Sequence, residues 1–131
     1  MQVREGMSSD VLTIGPDHTL REASRAMAAR RVGAAVVHDT DGEGVAILTE
    51  RDVLASIGRG HDPDSEHVRD HLTGDLVYAA PTWTLEQAAD AMVRGGFRHL
   101  VVLDQGEVAG ILSVRDIVRC WSGERHDELV G

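Results

Sequence analysis

Two aspartates in this chain stand at the same place in the same short pattern. Thr49-x-x-Asp52 and Ser113-x-x-Asp116 lie in "ILTERDVL" (47–54) and "ILSVRDIV" (111–118), each following an apolar run. An ionised carboxylate accepts from two vicinal hydroxyls at once, and a hydroxyl beside the exposed amides of a helix start suits a phosphate. Sugar and phosphate recognition is therefore the chemistry these four residues offer. The same spacing also makes a helix N-cap, in which the Ser or Thr oxygen accepts from a backbone N–H inside the first turn. Arg51 and Arg115, beside the aspartates, are candidate anion contacts or surface ion-pair partners.

The elements that must position these residues are written twice. "VREGM" from Val3 pairs with "VRDHL" from Val68, and "TLREASRAMAAR" from Thr19 pairs with "TLEQAADAMVRG" from Thr84. "AAVVHD" (34–39) then meets "HLVVLD" (99–104). The offset is 65 through Asp39 and Asp104 and becomes 64 at Asp52 and Asp116, so one residue differs in the Asp/Gly-rich loop between. Colinear matches over this length indicate a duplicated unit.

Each copy predicts strand, helix, strand, strand, helix. "VLTI" (11–14) and "LVYA" (76–79) are branched and apolar, as strands are. Thr19 with Glu22, and Thr84 with Gln87, have capping-box spacing. Leu20, Ala23 and Met27, matched by Leu85, Ala88 and Met92, form one apolar stripe on each helix. "AAVV" then "VAILT", and "LVVL" then "VAGILS", predict two hairpins, and helices closing the units carry Asp52 to Gly58 and Asp116 to Trp121. The expected organisation is repeat 1 over 3–58, a linker over 59–67, repeat 2 over 68–121 and a polar, fraying tail over 122–131. A half of this size is marginal alone, so the two sheets are expected to pack together about a pseudo-two-fold axis, with a cleft where equivalent edges meet.

Composition narrows the function classes. The chain has 131 residues, 42% hydrophobic and 27% charged, which is the composition of a globular domain. No apolar run has the length of a membrane span and no secretion signal opens the chain, which predicts a soluble, cytoplasmic protein. The single cysteine, Cys120, excludes an internal disulfide and is expected to be a buried structural thiol. A net charge of -9 opposes binding to nucleic acid or to an anionic membrane, so a phosphate-bearing ligand must be held by local cations. All 13 basic residues are arginine.

The paired repeats resemble a cystathionine-beta-synthase (CBS) domain pair, or Bateman module, over residues 3 to about 121. The resemblance implies an α/β (α+β) fold of tandem CBS repeats and a stand-alone regulatory module that binds an adenine nucleotide (AMP, ADP, ATP) or a related adenosyl ligand in the inter-repeat cleft. It further implies that Asp52 and Asp116 take the ribose hydroxyls and that Thr49 and Ser113 lie near ribose or phosphate. In "FRHL", Arg98 and His99 stand where similar modules reach across to the phosphates held by the other repeat, whereas the first copy has "VGAA". The site of Thr49 and Asp52 is therefore expected to bind phosphate better than that of Ser113 and Asp116. The copies depart from the family pattern at Val36 and Val101, where many members have proline, and at Ala46, where many have the glycine that Gly110 keeps. No cofactor is required, and a homodimer is the expected assembly. The alternative is a ligand-free dimerisation or protein-interaction module.

The linker carries His61, His67 and His71, the last two spaced for one helical face. A metal site needs three or four convergent ligands, and a solvated acidic linker is the expected role, with no metal bound. No phosphate-binding loop, nucleophile elbow or zinc-protease helix occurs, so an enzyme has no positive support.

Overall fold

The computed structural model describes residues 1–38, 44–73 and 77–130, with side chains described to residue 123. Along the chain run α1 (Val3–Gly6), α2 (Leu20–Arg30), β1 (Ala34–His38), β2 (Val45–Thr49), α3 (Glu50–Gly58), a 3-10 turn (Val68–Asp70), β3 (Tyr78–Ala79), α4 (Leu85–Gly95), β4 (His99–Asp104), β5 (Glu107–Ser113) and α5 (Val114–Val130). They build two compact α+β units. One is contiguous, Val11–Leu76; the other is composite, joining Met1–Asp10 to Val77–Gly131.

The long helices begin where their sequences say. In α2 the Thr19 hydroxyl accepts from Glu22 N–H while the Glu22 carboxylate accepts from Thr19 N–H, and Thr84 with Gln87 repeats this in α4. Leu20, Ala23 and Met27, like Leu85, Ala88 and Met92, are buried, as the stripe requires. Each helix ends on a left-handed residue, Arg31 and Gly96.

β1 and β2 are antiparallel, running from Ala34 opposite Thr49 to His38 opposite Val45; the loop with the one-residue difference lies outside the described residues. β4 and β5 pair likewise, with His99 opposite Ser113 and an irregularity between Val102 and Leu103. Their hairpin closes through Gln105 (φ 53°) and Gly106 (φ 83°), the two positive φ values that a tight primed turn needs.

The strands expected to open each unit are shorter than their apolar sequences suggest. Val11–Ile14 makes a single parallel bridge, Thr13 to Val36, fixed by Ile14 N–H to Val36 O and Val36 N–H to Leu12 O, both 2.9 Å. β3 keeps Tyr78 and Ala79, parallel to β4. Pro16 and Pro81 follow closely and, having no N–H, keep either ladder from running further toward the C-terminus, while Leu76 lies outside the described residues.

Each core is closed by a valine from the opening segment of the other sequence repeat. Val68 joins Leu20, Met27, Val37 and Leu48, whereas Val3 joins Leu85, Met92, Leu100 and Leu112; both valines are fully buried. The backbone holds them identically: Val68 N–H donates to His18 O at 2.9 Å and Val3 N–H to Trp83 O at 2.7 Å. Compact units and sequence repeats thus exchange their opening segments. The linker is part of this fit, because Pro63 O and Glu66 O accept from Arg21 N–H and Leu20 N–H at 3.0 and 2.9 Å and so cap α2.

Two expectations need correction. The segment 122–131 is no frayed tail as far as it is described, since α5 continues through Val130; its residues include no proline, and Glu124, Arg125, Glu128 and Leu129 favour the helix. Cys120 is half-buried, packed against the composite core, where a Cβ on Gly6 would come 2.9 Å from its sulfur.

Candidate functional site

In both units the last strand runs straight into the closing helix, and the Thr or Ser at that corner is the N-cap. The corner is held at the same backbone atoms: Glu50 N–H donates to Gly33 O, and Val114 N–H to Arg98 O, each at 2.9 Å.

In the contiguous unit, Thr49 Oγ1 accepts from Asp52 N–H at 3.2 Å, while Asp52 Oδ2 accepts from Thr49 N–H at 2.8 Å and from the Thr49 hydroxyl at 2.9 Å. Thr73, not singled out from sequence, donates its hydroxyl to the same Oδ2 at 2.7 Å. It arrives there because Thr73 N–H donates to Ile47 O at 2.9 Å, laying residue 73 along β2. Among the described residues no donor reaches Asp52 Oδ1. Asp52 is half-buried, so this oxygen remains a potential acceptor beside a helix start.

In the composite unit, Asp116 N–H donates to Ser113 Oγ at 3.0 Å and Asp116 Oδ2 accepts from Ser113 N–H at 2.8 Å. Its other oxygen, Oδ1, accepts from the Arg119 guanidinium at 2.7 Å. Asp116 is buried, at 8% exposure, and both of its oxygens are engaged. Arg119 is one helical turn from Asp116, a spacing at which opposite charges pair, and that was the available sequence signal for it.

Thr49 with Asp52, and Ser113 with Asp116, therefore come together as expected, and the cap geometry is realised in both. Exposed Arg98 immediately precedes β4 and half-buried His99 begins it, opposite Ser113 in the same unit; Gly33 and Ala34 are their counterparts, with Ala34 opposite Thr49. Arg51 and Arg115 are exposed, and neither pairs with a carboxylate among the described residues. Of the linker histidines, His61 and His71 bring their rings to 5.8 Å, whereas His67 does not join them. No helix spans His67 and His71; the residues between form the 3-10 turn, fixed by the buried Val68.

Among the described residues, no helix is long and apolar enough to cross a membrane. The family model of the CBS domain matches residues 2–59 and 68–123. The chain is similar to the uncharacterized protein MJ1225 of Methanocaldococcus jannaschii, with 32% identity over 89% of this chain and 41% of that one, so it spans less than half of this relative. Among solved structures it resembles the CBS-domain containing protein ATU1752 from Agrobacterium tumefaciens, with 35% identity, a TM-score of 0.82 and 92% of each chain covered. It also resembles the CBS domain protein PAE2072 from Pyrobaculum aerophilum complexed with AMP, with 28% identity, a TM-score of 0.78, and 88% of this chain and 89% of that one covered.

Proposed function

Because the chain belongs to the CBS domain family, we propose that it is a regulatory CBS pair that binds AMP, ADP, ATP or a related adenosyl ligand through the aspartates at its two strand-to-helix corners. The supporting observation is Asp52 Oδ1, an acceptor left over by the cap, in a chain similar to one solved with AMP. A ribose hydroxyl can donate to that oxygen without dismantling the capping box. Asp116 must first release Arg119, which ranks its corner second. Arg98 and His99 are the proposed phosphate contacts, because charge-assisted bonds are about twice as strong as neutral ones. In this reading the nucleotide acts as a signal, which alters partner affinity only through a difference in its affinity for two states.

A second copy of the chain is the proposed partner. The closing helices expose apolar residues at equivalent positions, Leu54 (70%) and Ile57 (50%) on α3, and Val118 (55%) and Trp121 (41%) on α5. Matching apolar pairs on two helices suit a self-complementary contact. The ligand-free dimerisation module is the second reading, favoured by the full engagement of the Asp116 carboxylate.

Calorimetric titration with AMP, ADP, ATP, NAD and S-adenosylmethionine tests this, repeated on Asp52→Ala, Asp116→Ala and Arg98→Ala. We expect saturable binding that Asp52→Ala reduces most, Asp116→Ala reduces less, and Arg98→Ala weakens for AMP more than for adenosine. A dimer by sedimentation that binds none of these ligands would establish the ligand-free module instead.

A further inference from the structure

The two units repeat one backbone plan, so a polar residue in one that answers to a small or apolar residue in the other is not demanded by the fold. Three such differences fall together in the contiguous unit. By the repeat offset, His71 answers to Gly6, Glu66 to Met1 and Ser56 to Cys120. Where the composite unit sets Gly6 against the Cys120 sulfur, the contiguous unit has a polar cluster. His61 Nδ1 and His71 Nε2 lie 3.1 and 3.2 Å from the same oxygen, Glu66 Oε1. The buried Ser56 hydroxyl stands 3.1 Å from His61 Nδ1.

We propose that His61, Glu66 and His71 form a binding site for one divalent transition-metal ion of the zinc or cobalt class. Metal–nitrogen and metal–oxygen bonds of about 2.0–2.2 Å in a tetrahedron separate neighbouring ligand atoms by about 3.3–3.5 Å. The two nitrogen-to-oxygen spacings are close to that edge, and all three ligand atoms lie within 4.8 Å of one another. Rotation of the His61 ring, whose side chain is 41% exposed, closes the remaining gap. Two imidazoles, which are borderline donors, together with one carboxylate suit zinc, cobalt or ferrous iron; calcium and magnesium require more oxygens.

The ligands sit on anchored backbone. Glu66 O accepts from Leu20 N–H at 2.9 Å, His61 N–H donates to Ser56 O at 3.2 Å, and His71 N–H donates to Val68 O at 3.0 Å beside the buried Val68. Side-chain exposure falls from His61 (41%) through Glu66 (30%) to His71 (9%), so an ion enters past His61 and leaves a coordination position open to water. The site lies within one unit and does not depend on the proposed nucleotide chemistry.

Cobalt(II) titration of the untagged chain, followed by d–d absorption and by zinc competition, tests the assignment. We expect one equivalent to bind and zinc to displace it. His61→Gln and Glu66→Gln should each weaken binding more than the ~10–100-fold typical of losing an outer-shell partner, and His67→Ala should leave it unchanged. His71→Ala also opens a buried position, so the exposed His61→Gln, checked for native circular dichroism, is decisive. Absence of saturable cobalt binding overturns the site, as does folded His61→Gln binding cobalt like the unaltered chain or an equal loss in His67→Ala.

Discussion

The guanidinium of Arg119 donates to Asp116 Oδ1 at 2.7 Å, at a point where the equivalent oxygen of Asp52 meets no donor among the described residues. Two aspartates with one sequence context thus differ in what they have left to offer a ligand. Because the Arg119 side chain is 66% exposed, its ion pair contributes little to stability, within about 1 kcal/mol. Arg119→Gln should therefore leave the melting temperature nearly unchanged while tightening nucleotide binding at the second corner several-fold. Calorimetric stoichiometry, moving from one site per chain toward two, is the measurement. An unaltered second site means that Arg119 is no gate.

Thr73 supports Asp52 from 21 residues away, through a 2.7 Å bond to Oδ2. Hydrogen bonds to charged groups contribute about 1.5–3 kcal/mol, so Thr73→Val should lower unfolding free energy by roughly that amount. Its counterpart Ser8 is exposed and makes no such bond to Asp116 among the described residues, so Ser8→Ala should be nearly silent. Urea denaturation of both variants makes the comparison.

Gly110 is required by close approach. A Cβ there would lie 2.6 Å from Ser8 O and 2.8 Å from Met7 Sδ, and the first contact is with backbone that cannot swing away. Gly110→Ala should cost about 1–3 kcal/mol, the usual range for overpacking. The counterpart change Ala46→Gly should cost less, about 0.5–1 kcal/mol, since it adds only backbone freedom in a strand. Thermal unfolding of the two variants should show this order.

The caps of α2 and α4 differ in one titratable group. Glu22 in α2 has its pKa held below the ordinary value of 4.5, first by the backbone N–H of Thr19 and then by the Thr19 hydroxyl. Gln87 takes the same place in α4 and carries no charge. A lowered carboxylate pKa stabilises the folded state above the unfolded value and loses that contribution as pH falls through the lower folded value. The contiguous unit should therefore weaken first as pH drops below 4.5. Glu22→Gln should flatten the acid limb of stability against pH; an unchanged limb assigns acid sensitivity to other carboxylates.

The corner residues were legible because a capping box and a hairpin are local: Thr49 to Asp52 and Ser113 to Asp116 are bonded within one helical turn. Their distant supports were not. Thr73 reaches Asp52 only once residue 73 is laid along β2, and no spacing in the sequence encodes that distance. His67 and His71 looked like a pair because their separation matches a helix, but the buried Val68 commits the intervening residues to a 3-10 turn and brings His61 and Glu66 to His71 instead.

Duplication, helix starts, the apolar stripes and the identity of the two acidic corners were determined by the sequence alone, since each follows from periodicity or from contacts three or four residues apart. Tertiary structure decided which opening segment fills which core, with Val3 in the composite unit and Val68 in the contiguous one. It also decided which aspartate keeps an oxygen in reserve. The first depends on burial among residues distant along the chain, and the second on whether the Arg119 side chain, one turn away, folds back onto Asp116; both become defined only when the whole chain has packed.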